Sequence, residues 1–129
     1  MPQTTTRISA IGVVIVPVSD QDRALAFYTE KLGFEQRADV PFGDGNRWLE
    51  VAPAGSATRI ALVPPMPPQT IGVPTNIGLS TQDIDALHAD LKEAGVDVDD
   101  VQRMGDPVPP LKYFRDPDGN TLFVAEEIA

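Results

Sequence analysis

Val18-Ser19-Asp20-Gln21-Asp22-Arg23-Ala24-Leu25-Ala26-Phe27-Tyr28, running on to Leu32-Gly33-Phe34, is the stretch whose reading decides the fold. Ser19 to Asp22 offers side chains that cap a helix start, Ala24 to Tyr28 supplies the helix body, and Gly33 is a C-terminal stop. Upstream, Ile11 to Val18 is apolar and rich in β-branched residues, the pattern of a buried strand. Downstream, Phe34 to about Val40 is extended again. The turn-rich Pro41-Phe42-Gly43-Asp44-Gly45-Asn46 then leads into strands Arg47 to Ala52 and Thr58 to Val63, joined as a hairpin through Pro53-Ala54-Gly55-Ser56. The first half therefore reads strand, helix, strand, strand, strand.

The same order returns in the second half. Asn76 to Ser80 is a strand, Gln82-Asp83-Ile84-Asp85 opens a helix with Ile84, Leu87 and Leu91 on one face, and Gly95 closes it. Val96 to Val101, Leu111 to Arg115 and Asn120 to Glu126 supply three more strands. Ser-x-Gln-Asp occurs at Ser19 and again at Ser80, and Leu32-Gly33-Phe34 answers Ala94-Gly95-Val96, so the chain is an internal repeat. A single domain over 1–129 is expected, with module one at about 8–63, a stiff Pro-rich linker at 64–74 and module two at about 75–127. The fold class is α+β: two βαβββ modules forming a curved mixed-sheet cup with helices on its convex side.

Composition excludes several function classes. Ten basic against nineteen acidic residues leave a formal charge of -9, and no Lys or Arg stripe exists along which phosphates could lie, which argues against nucleic acid. The absence of Cys removes thiolate catalysis, zinc-thiolate sites and disulfides, and fits a cytoplasmic address. Ile8 to Val18 is too short for a bilayer span, carries Pro17 and lacks a small-x-small cleavage site, so no membrane association is expected. No phosphate loop, nucleophile elbow or dinucleotide fingerprint is present.

Strand alternation separates two faces. Val14, Val16, Leu49, Val51, Ile60, Leu62, Ile77, Leu79, Leu122 and Val124 form an aliphatic set suited to packing beneath the helices. The opposite face is chemically mixed, with Trp48, Glu50, Arg59, Asn76 and Phe123 among small and aliphatic residues, the composition of a concave small-molecule site. Glu50 and Arg59 fall almost opposite one another across the hairpin. They form either a plain cross-strand ion pair or a catalytic pair in which Glu50 moves a proton and Arg59 holds a substrate anion.

The string from Val18 to Phe34, together with Phe114-Arg115-Asp116-Pro117-Asp118-Gly119-Asn120, strongly resembles the vicinal oxygen chelate superfamily, which includes glyoxalase I, bleomycin-resistance proteins, extradiol dioxygenases and methylmalonyl-CoA epimerase. The resemblance covers nearly the whole chain. It implies metal-ligand positions at Val13, Ala61, Asn76 (Pro74 if the second module is aligned by its Ser-x-Gln-Asp string) and Phe123, where metal enzymes of the family place His, Gln or Glu. Val, Ala and Phe have no donor for a divalent ion, and Asn76 alone cannot hold one, so neither metal nor other cofactor is expected. His88, the single histidine, reads as a surface or boundary residue, and Asp116-Pro117-Asp118-Gly119 as a tight turn.

The expectation is a metal-independent small-molecule binder of the bleomycin-resistance kind, taking an aromatic or amphipathic ligand against Val13, Trp48, Glu50, Arg59, Asn76 and Phe123. The alternative is a metal-free isomerase, cyclase or lyase with Glu50 as general base and Arg59 or Asn76 stabilising an oxyanion. A metal-dependent glyoxalase or dioxygenase ranks third. The resemblance and the exposed sheet edges both imply a homodimer.

Overall fold

Two aspartates start the two helices. In the computed structural model, which describes residues 6–41, 43 and 45–127, Asp20 accepts the backbone N–H of Arg23 and Asp83 that of Ala86, each at 3.0 Å. Each satisfies a donor that the first helical turn leaves without an internal partner. Helix α1 covers Gln21–Ala26 and α2 covers Ile84–Glu93. Gly33 and Gly95 end the two helical segments at φ 77° and 79°, a conformation in which a Cβ is strained.

The first helical segment does not run α-helical to Gly33. Phe27–Lys31 is a π-helical turn, closed by a hydrogen bond from Leu32 N to Phe27 O at 3.2 Å. A side-chain bond from the Thr29 hydroxyl to the Leu25 carbonyl, at 2.7 Å, competes for an acceptor there.

The strands are β1 Val13–Pro17, β2 Glu35–Pro41, β3 Arg47–Ala52, β4 Arg59–Val63, β5 Pro74–Thr81, β6 Asp97–Val98, β7 Leu111–Arg115 and β8 Thr121–Glu126. Arg47–Ala52 and Leu111–Arg115 match the strands expected there. The strand expected over Val96 to Val101 shortens to two residues, because Val96 turns into the core and the ladder to β7 breaks before it resumes at an isolated Gln102–Leu111 bridge. Phe42 and Asp44 of the expected turn after β2 lie outside the described residues.

Pairing gives two mixed four-stranded sheets, ordered β1-β4-β3-β2 and β5-β8-β7-β6. In each, the module's first strand runs parallel to its last and the remaining pairs are antiparallel. This is an α+β architecture of two βαβββ units with open curved sheets. Among the described residues, strands β1 and β5 each have one unpaired edge.

The aliphatic set packs as its alternation requires. Val16, Leu49, Val51, Ile60, Leu62, Leu122 and Val124 join Ala24, Phe27, Tyr28 and Leu91 in one buried cluster, with Val14, Ile77 and Leu79 half-buried against it. Residues of both modules contribute, so the halves share a core.

A buried polar hub fastens them further. Asp116, in the β7–β8 turn, accepts the Tyr28 hydroxyl and the Asn120 side-chain amide, each at 3.0 Å, while Asn120 also donates to Pro17 O at 2.8 Å. The expected tight turn is present, with Asp116 Oδ1 accepting the backbone N–H of Asp118 and Asn120 and Gly119 at φ 80°. On the surface nearby, Ser19 and Arg23 both bond Asp118. No helix among the described residues is long and apolar enough to cross a membrane.

Candidate functional site

The β3–β4 hairpin turns at Ala54 and Gly55, which pairs Glu50 with Ala61 and Val51 with Ile60. Arg59 is therefore a diagonal neighbour of Glu50, within reach of a long side chain. Its Nε donates to Glu50 Oε1 at 2.7 Å, and the Trp48 indole N–H donates to Glu50 Oε2 at 2.8 Å. Strand β1 pairs Val13 with Arg59 and Ile15 with Ala61, so Val13, Ile15, Trp48, Glu50, Arg59 and Ala61 share one face of the first sheet. Glu50's side chain is only 12% exposed, whereas Arg59's is 37% exposed.

Phe123 occupies the second sheet, opposite Gly78 on β5 and Tyr113 on β7. The Tyr113 and Phe123 ring centroids lie 6.0 Å apart. A Cβ built on Gly78 would fall 2.4 Å from Phe123 Cζ, so the ring uses the space that this glycine leaves open. Asn76 sits where the β5–β8 pairing is irregular, between Pro74 and Gly78, at φ 60°. Such an irregularity re-aims a side chain, and Asn tolerates the left-handed region better than most residues.

Trp48, Glu50, Arg59 and Val13 thus come together on sheet one, and Phe123 and Asn76 stand on sheet two. Arg115 is on the same face as Phe123 but is held by Asp97 and Asp99, whose carboxylates raise its pKa beyond the ordinary arginine value.

A cavity of about 790 Å³ opens on the other side, between the modules. Val14, Ile60, Ile77, Leu79, Leu87 and Leu91 contribute its apolar walls. Asn76 is the one nominated ligand residue in its lining.

Sequence reasoning missed a polar contact beneath α2. Lys112 is fully buried, with its Nζ 2.6 Å from His88 Nδ1. Burial, reinforced by Lys92, pushes the Lys112 ammonium below the ordinary lysine range, while Asp99 and Asp100 pull the other way. Alternation with the core residue Phe114 already places Lys112 on the helix side, which is the signal that could have found it.

The residues that the resemblance puts at metal-ligand positions, Val13, Ala61, Asn76 and Phe123, offer a donor set that does not fit a divalent cation. Among the described residues, no three of His, Cys, Asp or Glu converge on a point where a metal could bind.

The glyoxalase/bleomycin resistance protein/dioxygenase superfamily profile matches residues 10–124. TnmS3, an antibiotic binding protein from Streptomyces sp. CB03234, is 39% identical, with a TM-score of 0.86 over 96% of this chain and all of its own. A superfamily member from Sphaerobacter thermophilus DSM 20745 is 35% identical, with a TM-score of 0.86 over 95% of this chain and 100% of its own. YetH of Bacillus subtilis (strain 168) is 36% identical across 92% of this chain and 99% of its own length. With the repeat, the two βαβββ units and these likenesses together, the chain belongs to the glyoxalase/bleomycin resistance protein/dioxygenase superfamily.

Proposed function

We propose that the protein is a metal-independent small-molecule binder that takes an aromatic or amphipathic ligand on the mixed sheet faces. The observation that carries this reading is the Trp48–Glu50–Arg59 cluster, an indole and a guanidinium fixed by one shielded carboxylate on a face otherwise lined by aliphatic and small residues. Apolar surface with a few fixed polar groups is how small-molecule sites combine affinity with orientation. The likeness to TnmS3, described as an antibiotic binding protein, supports the same reading.

A metal-free isomerase, cyclase or lyase would need Glu50 as a base. Each of its oxygens is already engaged by a donor of the sheet itself, Oε1 by Arg59 Nε and Oε2 by the Trp48 indole N–H, so the carboxylate is built in as a support rather than presented to a substrate's proton. The binder is therefore the better account.

We place the ligand in a homodimer, in which the open edges of β1 and β5 are covered. Sedimentation is expected to give twice the chain mass, and a monomer at micromolar concentration would remove that element.

Trp48 is the chain's one tryptophan, so its fluorescence reports directly on this face. Titration with a panel of planar aromatic natural products should give saturable quenching, unchanged by chelator, and elemental analysis should show no stoichiometric transition metal. A full complement of metal, or turnover abolished by chelation, would overturn the reading.

A further inference from the structure

We propose that Arg59 is the donor that recognises the ligand and Glu50 its positioning residue, so that the site takes a planar aromatic molecule through an uncharged carbonyl acceptor. This rests on the reading above and specifies the ligand class of the same face.

The half-buried arginines Arg37, Arg47 and Arg115 each commit all three guanidinium nitrogens to acceptors. Arg37 binds Glu35, Ser56 O and Pro53 O. Arg47 binds Asp39 and Asp22, and Arg115 binds Asp97 and Asp99. Arg59 differs. Its Nε is bound to Glu50, its Nη1 has only a long 3.4 Å contact to Ala57 O, and its Nη2 donates to no described residue. It is also the most exposed of the four, at 37% against 23% to 26% for the others. A guanidinium pinned at Nε with its outer edge unspent is a preorganised donor fork.

Glu50 does the pinning. Trp48 holds its second oxygen, so the carboxylate cannot rotate away without breaking two charge-assisted bonds. The same carboxylate cancels the Arg59 charge at 2.7 Å, within a chain of net charge -9. An incoming carboxylate would meet a pair with no net positive charge and a repulsive surrounding field, whereas a carbonyl takes the hydrogen bond without either cost. Trp48, bonded to the same carboxylate as Arg59, and Val13, registered beside Arg59, put apolar side chains on the donor's sheet face.

The test compares xanthone, xanthene (the same ring system without the carbonyl) and xanthone-2-carboxylate, each titrated against Trp48 fluorescence. The full chain should bind xanthone about tenfold more tightly than xanthene, and more tightly than the carboxylate. Arg59→Met should abolish the preference for xanthone over xanthene. Glu50→Gln should weaken xanthone while strengthening the carboxylate, a reversal that a merely structural residue would not produce. If Arg59→Met does not fold, Arg59→Lys serves, and the preference should fall, since an ammonium lacks the rigid planar fork that holds Glu50 by one edge and aims the other at the ligand.

Equal affinity of xanthone and xanthene in the parent, or a carbonyl preference that survives loss of the guanidinium, overturns the inference and leaves the aromatic binder standing. Quenching by none of the three probes overturns the binder and the inference with it.

Discussion

Lys112 carries its ammonium into the space beneath α2, and that burial has a pH signature. A lysine whose folded pKa is depressed binds fewer protons in the folded chain than in the unfolded one. Its contribution to stability therefore rises with pH from the depressed value up to the ordinary value of about 10.5. Lys112→Met removes the buried charge, keeps most of the volume and should raise the unfolding midpoint at pH 7. Its advantage over the parent should shrink as pH approaches 10, which thermal melts at several pH values would show; an advantage that grows with pH would refute the assignment. Tyr28 acts in the opposite sense. Burial first, and Asp116 second, push its hydroxyl well above the ordinary tyrosine value, so the stability it contributes is present below pH 10 and is lost as pH climbs further. Tyr28→Phe strands part of the Asp116 carboxylate and should cost about 1 to 3 kcal/mol at neutral pH. It should also flatten the alkaline fall.

Among the elements, β5 couples the fold to the proposed site through the Gly78–Phe123 contact. Gly78→Ala would place a methyl group where the Phe123 ring now lies, so the ring must move or the strand must part from β8. We expect a loss of about 1 to 3 kcal/mol in chemical denaturation, together with weaker aromatic binding. Ligand affinity unchanged by Gly78→Ala would mean that Phe123 takes no part in the site. Much of this was legible in the sequence. Asp20 and Asp83 announced both helix starts, and the aliphatic alternation of β1, β3, β4 and β8 named the core. The mixed face was equally readable, since alternation alone puts Trp48, Glu50 and Arg59 on one side. What alternation does not contain is register. Whether Glu50 meets Arg59 directly or on the diagonal depends on how many residues the hairpin loop consumes, and the irregular pairing around Asn76 is a property of two strands at once. The π-helical turn escaped for a similar reason, because Thr29 competes for a backbone acceptor that no hydrophobic pattern records. The cavity between the modules was hidden too, since it depends on how the halves pack.

At the scale of the whole molecule, the halves are coupled through Asn120. This buried side chain donates to Pro17 in module one, to Asp116 in its own turn, and accepts the backbone N–H of Gly72 before β5 at 2.8 Å. Unfolding followed by Trp48 fluorescence, which reports on module one, and by far-UV circular dichroism, which reports on both, should therefore trace one coincident transition. Asn120→Ala should lower the midpoint, at roughly 1 to 3 kcal/mol for each backbone group left without a partner. Separate transitions in the parent protein would show that the modules fold independently. The coupling also constrains how such a chain can change over generations. A repeat whose copies merely sat side by side could shed one, or let one decay while the other kept working. Here each copy completes the other's hydrogen bonds, so damage to either half weakens both, and selection sees the duplicated chain as one indivisible unit.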